Sequence, residues 1–93
     1  MQEPTLPTFH LNGTGAESIL NEYEEACFAV QKAMDALAKA TCHPRDFYVQ
    51  SEGSWNRARA ERDEMFRKLK EVQDYAKAWA EHASDRVRKV PSR

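Results

Sequence analysis

The feature that most constrains this chain is a heptad spacing of apolar residues that occurs twice. The first run begins after a capping box formed by Thr14 and Glu17, and it ends before Pro44. Steps of three and four residues place side chains on one face of an α-helix. The pattern predicts a first helix at about 15–42. Its seam consists of Leu20, Tyr23, Cys27, Val30, Met34, Leu37 and Thr41.

The second half of the chain repeats the spacing over a longer stretch. Arg62 is the one polar member of this second seam, and Phe66 and Ala80 lie beside it. Ser54 is the expected N-cap. The pattern predicts a second helix at about 54–88. Its seam consists of Trp55, Ala58, Arg62, Met65, Leu69, Val72, Ala76, Trp79 and Ala83.

These two helices define the expected fold class, which is all-α. Two long antiparallel helices form a hairpin, and hairpins of this kind bury their remaining apolar surface by assembling into a helical bundle. We divide the chain into a flexible N-terminal arm at 1–8, a single helical-hairpin domain at 9–90 and a tail at 91–93.

The composition of the chain argues against two classes of protein, which are nucleic-acid-binding proteins and membrane-spanning proteins. The net charge of −1 over 93 residues argues against generic nucleic-acid binding. No apolar run approaches the roughly 18 residues that a membrane span needs. The two cysteines are too few for a disulfide framework, so a reducing cytoplasm is the expected location.

A second stripe on the first helix indicates an oligomer. It contains only alanine, and small residues at this spacing let another helix approach closely; the alternative is that Ala is simply the best helix former on a surface. Residues 1–55 have a net charge of −5 and residues 56–93 a net charge of +4, which favours side-by-side packing of opposite halves. We expect an even-numbered homo-oligomer, most simply a two-fold dimer that forms a four-helix bundle. The predicted interface is Ala26, Ala29, Ala33, Ala36 and Ala40.

The sequence contains no recognisable catalytic constellation. Cys42 and His43 are adjacent, but their spacing from Cys27, His10 and His82 matches no zinc signature. No acid is evident that would orient a Cys–His pair, and glycine-rich phosphate loops are absent. We therefore expect a protein that is not an enzyme and that uses no metal or cofactor.

The connection between the helices is the most unusual segment. Arg45 suits phosphate, and the rings of Phe47 and Tyr48 suit a flat base. The alternative is that the aromatic rings only plug the end of the bundle. In a hairpin this loop lies at one end and the N-terminal segment at the other. An antiparallel oligomer would bring them together, in a site shared between chains. That predicted ligand site consists of His10, Asn12, Thr14, Arg45, Phe47 and Tyr48.

At these two segments the chain resembles a group of small proteins encoded by bacteriophages and prophages. The opening element matches at His10-Leu11-Asn12-Gly13-Thr14, and the loop matches at Arg45-Asp46, Tyr48 and Gln50. The departures are Pro44 in place of Gly, Phe47 in place of Tyr and Val49 in place of Pro. The resemblance implies a phage or prophage origin and the cytoplasm of an infected bacterial host, and it carries no assigned activity.

Two functions follow as expectations. Small phage proteins of this build include oligomeric sponges, which bind host immune nucleotide signals without cleaving them. The comparison with such sponges rests on similarity of fold alone. The first expectation is such a counter-defence protein, with Arg45 holding phosphate. The second is a protein–protein interaction module, either an inhibitor of a host defence complex or a virion accessory or structural protein.

Overall fold

The computed structural model describes residues 3–9 and 15–89. It consists of helix α1 at Ala16–Lys39, a short 3₁₀ helix at Pro44–Phe47 and helix α2 at Ser54–Lys89. The predicted all-α hairpin is confirmed, and the described part of the chain contains no strand. Neither helix contains a segment that is long and apolar enough to cross a lipid bilayer, as judged over those residues.

Contacts along the rod establish that the two helices run antiparallel. The Tyr23 ring stacks on Trp79 with ring centroids 4.7 Å apart. Further along α1, the Cys27 carbonyl accepts a hydrogen bond from the Gln73 side chain at 3.4 Å. Later residues of α1 thus meet earlier residues of α2. The molecule is a rod of 68 × 24 × 16 Å with a radius of gyration of 19.4 Å.

The helix ends differ from the predicted ends by a few residues. α1 stops three residues early, because Ala40 adopts an extended conformation (φ −68°, ψ 137°) while its N–H still bonds to the last turn. Its N-cap is Gly15, which offers no side-chain cap, and Thr14 of the predicted capping box lies outside the described residues. α2 begins at Ser54, as predicted. The preceding Gly53 has φ +84°, a conformation that glycine adopts without the steric strain of a side chain.

The Ser54 hydroxyl does not cap α2 in the predicted manner. It donates a hydrogen bond to the carbonyl of Ser51 at 2.7 Å instead of accepting one from a backbone N–H of the first turn. Ser54 is therefore the first residue of the helix, and its hydroxyl ties α2 to the loop that precedes it.

The buried apolar core consists of alanine. Ala76, Ala80 and Ala83 of α2 are the buried apolar residues of the described chain, and they lie against the half-buried seam of α1. Alanine leaves room for two helix backbones to approach closely. A core of this kind buries little apolar surface and leaves the larger side chains towards the outside.

Two of the nine predicted seam residues of α2 are rotated out of the interface. Met65 is 43% exposed and Val72 is 51% exposed, whereas Phe66 is half-buried and Gln73 is only 8% exposed. The observed line keeps the seven-residue spacing, but it pairs the positions of Arg62, Leu69, Ala76 and Ala83 with those of Phe66, Gln73 and Ala80. The observed line follows Arg62, Phe66, Leu69, Gln73, Ala76, Ala80 and Ala83.

Candidate binding surfaces

The loop end is closed by an aromatic contact. Phe47, at the end of the 3₁₀ helix, lies with its ring centroid 5.8 Å from that of Trp55 at the start of α2. The turn is fixed by His43, whose Nδ1 accepts a hydrogen bond from the Arg45 N–H at 3.2 Å. Phe47 therefore sits in the plugging arrangement, and it is half-buried there.

Two other predicted ligand residues project from this end. Tyr48 is 78% exposed, and Arg45 is also exposed. Among the described residues, the Arg45 guanidinium has no hydrogen-bond acceptor and no ion-pair partner. One cation and one ring thus stand next to each other in solvent, with no cover from the rest of the described chain.

The opposite end is formed by the N-terminal segment and the last turns of α2. The His82 Nε2 lies 2.6 Å from the Pro7 carbonyl oxygen, so this nitrogen carries the proton and donates it. The Phe9 ring stacks on His82 at 5.3 Å. A cleft of about 380 Å³ opens here, lined by Pro7, Thr8, Phe9, His82, Asp85 and Arg86.

The sequence reasoning missed the part that α2 takes in this cleft. The signal in the sequence was the spacing of three and four residues, which places His82, Asp85 and Arg86 on one face of a helix. His10, Asn12 and Thr14, predicted to bind ligand, lie outside the described residues. Phe9, which stacks on His82, and Phe47, which packs on Trp55, lie at opposite ends of the rod.

A groove between the helices contains Cys27 but no activated nucleophile. Burial raises the pKa of the Cys27 thiol; Lys77 partly offsets this, while Glu24 and Glu81 add to it. The groove, of about 340 Å³, is lined by Leu20, Glu24, Cys27, Lys77, Ala80, Glu81 and Ser84. A raised pKa disfavours the thiolate that nucleophilic chemistry needs. Within the described ranges, no three His, Cys, Asp or Glu side chains come together as a metal site would require.

One long side of the rod carries exposed apolar residues from both helices. On α1, the stripe residues Ala29, Ala33 and Ala36 are exposed and Ala26 is half-buried, and Ala40 is exposed just after the helix ends. On α2, Met65, Val72 and Tyr75 are exposed at the same kind of spacing. At about 100° per residue, each stripe is rotated in the same sense from its own contact line. Since the helices are antiparallel, both stripes face the same side.

A hydrogen bond on the opposite side supports this assignment. Gln31 is rotated from the α1 contact line in the other sense, and its side-chain oxygen accepts a hydrogen bond at 3.0 Å from Gln73 of the α2 contact line. We refer to the side that carries the two stripes as the apolar face. Its members are Ala29, Ala33, Ala36, Ala40, Met65, Val72 and Tyr75.

No protein-family model matches the sequence, and comparisons with curated proteins and with solved structures also gave no match. Function is therefore argued from the surfaces described above.

Proposed function

We propose that this chain is a non-catalytic interaction module that works through its apolar face. The observation that carries the proposal is the contrast between a buried core of three alanines and the exposed Met65, Val72 and Tyr75. Large apolar side chains exposed along one side of a small protein are typical of an interaction site.

The proposed biological setting follows from the resemblance to small phage proteins. A virus-encoded module of this type would block a host defence complex or join a virion assembly. Either role needs a surface and no reacting group. The raised pKa of the Cys27 thiol is consistent with such a role, because it keeps that thiol protonated.

Site-specific photo-cross-linking in cells tests the proposal. A photoreactive amino acid at Val72 should give discrete adducts, whereas the same group at Arg67, an exposed residue of α2 away from the apolar face, should not. Equal labelling at both positions, or no adduct at Val72, would refute the proposal. The mass of the Val72 adduct identifies whether the partner is another protein or a second copy.

A second candidate function is sequestration of a nucleotide-type ligand at the loop end. The observation in its favour is the exposed pair of Arg45 and Tyr48, with a guanidinium that has no partner in the described chain. Arg45 would hold phosphate and Tyr48 would stack on the base. Phe47 contributes less than expected, because its ring packs on Trp55.

Calorimetric titration with a panel of linear and cyclic nucleotides tests this second function. Binding that is lost in Arg45→Ala and retained in Arg59→Ala, an exposed arginine on α2, would support it. Binding that is insensitive to Arg45, or no binding by any nucleotide of the panel, would count against it.

A further inference from the structure

We propose that a second copy of this chain covers the apolar face, with α1 of each copy against α2 of the other and both loops at the same end. This inference rests on the proposed interaction function and names the partner. The two-fold axis then runs parallel to the long axis of the rod, and the product is a four-helix bundle.

The exposed area of the single chain is large enough for such a partner. The chain exposes 7397 Å². A compact protein of 10.7 kDa exposes about 5,500 Å². The excess is roughly 1,900 Å², whereas a stable dimer buries about 800 Å² on each partner. The radius of gyration of 19.4 Å, against about 12 Å for a compact domain of this length, reflects the same open shape.

In this arrangement, small side chains on the apolar face of one copy lie opposite large side chains on the same face of the other. The Cys27–Gln73 contact places Ala29 at the level of Val72, and the Arg62 contact with the Leu37 carbonyl places Ala36 near the level of Met65. A two-fold axis along the rod keeps these levels in the partner. Ala29 and Ala36 of one copy then face Val72 and Met65 of the other, and small against large is the pairing that a well-packed interface requires.

Charge selects this arrangement over the antiparallel one. Helix α1 carries 5 acidic and 2 basic residues, and α2 carries 7 acidic and 10 basic residues. With the axis along the rod, every acidic α1 has a basic α2 on both sides. The antiparallel pairing would set α1 against α1 and α2 against α2, with like charge beside like charge, which complementary interfaces avoid.

The arrangement brings two Arg45–Tyr48 loops to one end of the bundle. The antiparallel oligomer expected from the sequence would instead have joined a loop to the N-terminal segment of another chain. A ligand at the loop end of the proposed dimer would meet two copies of the same residues, related by the two-fold axis.

Light scattering coupled to gel filtration of the full chain is the first test. We expect about twice the 10.7 kDa of one chain, and a shift to one chain for Val72→Glu. Phe28→Glu is the matched control, because Phe28 is 61% exposed but lies off the apolar face, and it should stay dimeric. Circular dichroism establishes whether Val72→Glu is still helical. A monomeric wild-type chain overturns the inference whatever the variants do.

Cross-linking of mixed chains tests the geometry without disturbing the fold. Ala29→Cys chains are mixed with Val72→Cys chains, both with Cys27 and Cys42 replaced by serine, and treated with a short bismaleimide. Cross-links between position 29 and position 72 of different chains are expected to dominate. Dominant cross-links between two Ala29→Cys chains would indicate the antiparallel pairing and overturn the proposal.

The outcomes separate this inference from the proposed function. A monomeric chain whose Val72 photo-adduct is a different protein refutes the second copy and leaves the interaction module standing. A monomeric chain without any Val72 adduct refutes both.

Discussion

Arg62 is the residue that the heptad pattern marks as an exception, and its contacts explain the position. Its guanidinium donates to the Leu37 carbonyl at 2.7 Å and to the Ala38 carbonyl at 3.2 Å. These carbonyls belong to the last turn of α1, where the helix dipole favours a cation. The Leu37 carbonyl also accepts a hydrogen bond from the Ala40 N–H. The guanidinium carbon of Arg62 lies over the Phe66 ring, 5.4 Å from its centroid. Arg62 thus holds the end of one helix from the seam of the other.

Replacing Arg62 by methionine tests this role. The variant keeps the apolar stem and loses both hydrogen bonds, so the free energy of unfolding should fall by about 1–2 kcal/mol in a urea titration. Arg67→Met is the control, because Arg67 is exposed and its partner among the described residues is Glu64, one turn away. Its effect should stay within about 0.5 kcal/mol. Equal losses in the two variants would contradict the capping role.

Cys27 supplies a prediction on pH dependence. Its pKa is raised in the folded chain, chiefly by burial, so less thiolate forms at a given pH than in the unfolded chain. In a Cys42→Ser background, alkylation at neutral pH should be slower without urea than in urea. The difference should shrink as the pH rises above both pKa values, since the thiol then ionises in either state. Equal rates at neutral pH would argue against burial of this thiol.

At the scale of the elements, the sequence predicts the hairpin well and the packing of α2 only in part. The α1 seam from Leu20 to Leu37 lies half-buried against α2, as the spacing indicates. On α2 only Met65 and Val72 of the predicted seam face outwards. The seam residues that are buried or half-buried, as the pattern indicates, are Trp55, Ala58, Arg62, Leu69, Ala76, Trp79 and Ala83.

Hydrophobicity alone misleads on α2. It selects Met65 and Val72 as buried positions in preference to Gln73, because methionine and valine are more apolar than glutamine. Gln73 is nevertheless buried, since its amide finds a backbone carbonyl and the Gln31 side chain on α1. A pattern in one helix cannot show which polar group has a partner on the other. The candidate surfaces show the same limit. The exposure of Arg45 and Tyr48 could be predicted, because both residues lie in a loop. The contact between Pro7 and His82 could not, because the two residues are 75 positions apart and no local sequence pattern indicates it.

Enlarging one of the buried alanines tests the close approach of the helices. Ala83→Leu should lower the free energy of unfolding by about 1–3 kcal/mol, because Ala83 is fully buried and the new side chain has no room between the backbones. The matched control is Ala60→Leu on the exposed side of α2, with a change of about 0.5 kcal/mol or less. Both variants are compared by urea titration. A neutral Ala83→Leu would mean that the seam is looser than described.

At the scale of the whole molecule, stability should depend on concentration. A chain that completes its core by pairing gains stability by mass action, so its melting temperature rises with protein concentration. Thermal unfolding followed by circular dichroism over a hundredfold range should show this rise for the wild type and for Phe28→Glu. A melting temperature that is constant for the wild type would indicate that the single hairpin carries all of its stability.

The placement of the two tryptophans has a spectroscopic consequence. Trp55 lies beside Phe47 at the loop end, and Trp79 is stacked on Tyr23 towards the other end. Each end of the rod therefore contains its own fluorophore. In Trp55→Phe the tryptophan emission comes from Trp79 and reports on the end opposite the loop. In Trp79→Phe it comes from Trp55 and reports on the loop end. Comparing the two emission signals during unfolding shows whether the hairpin opens as one cooperative unit or unzips from one end.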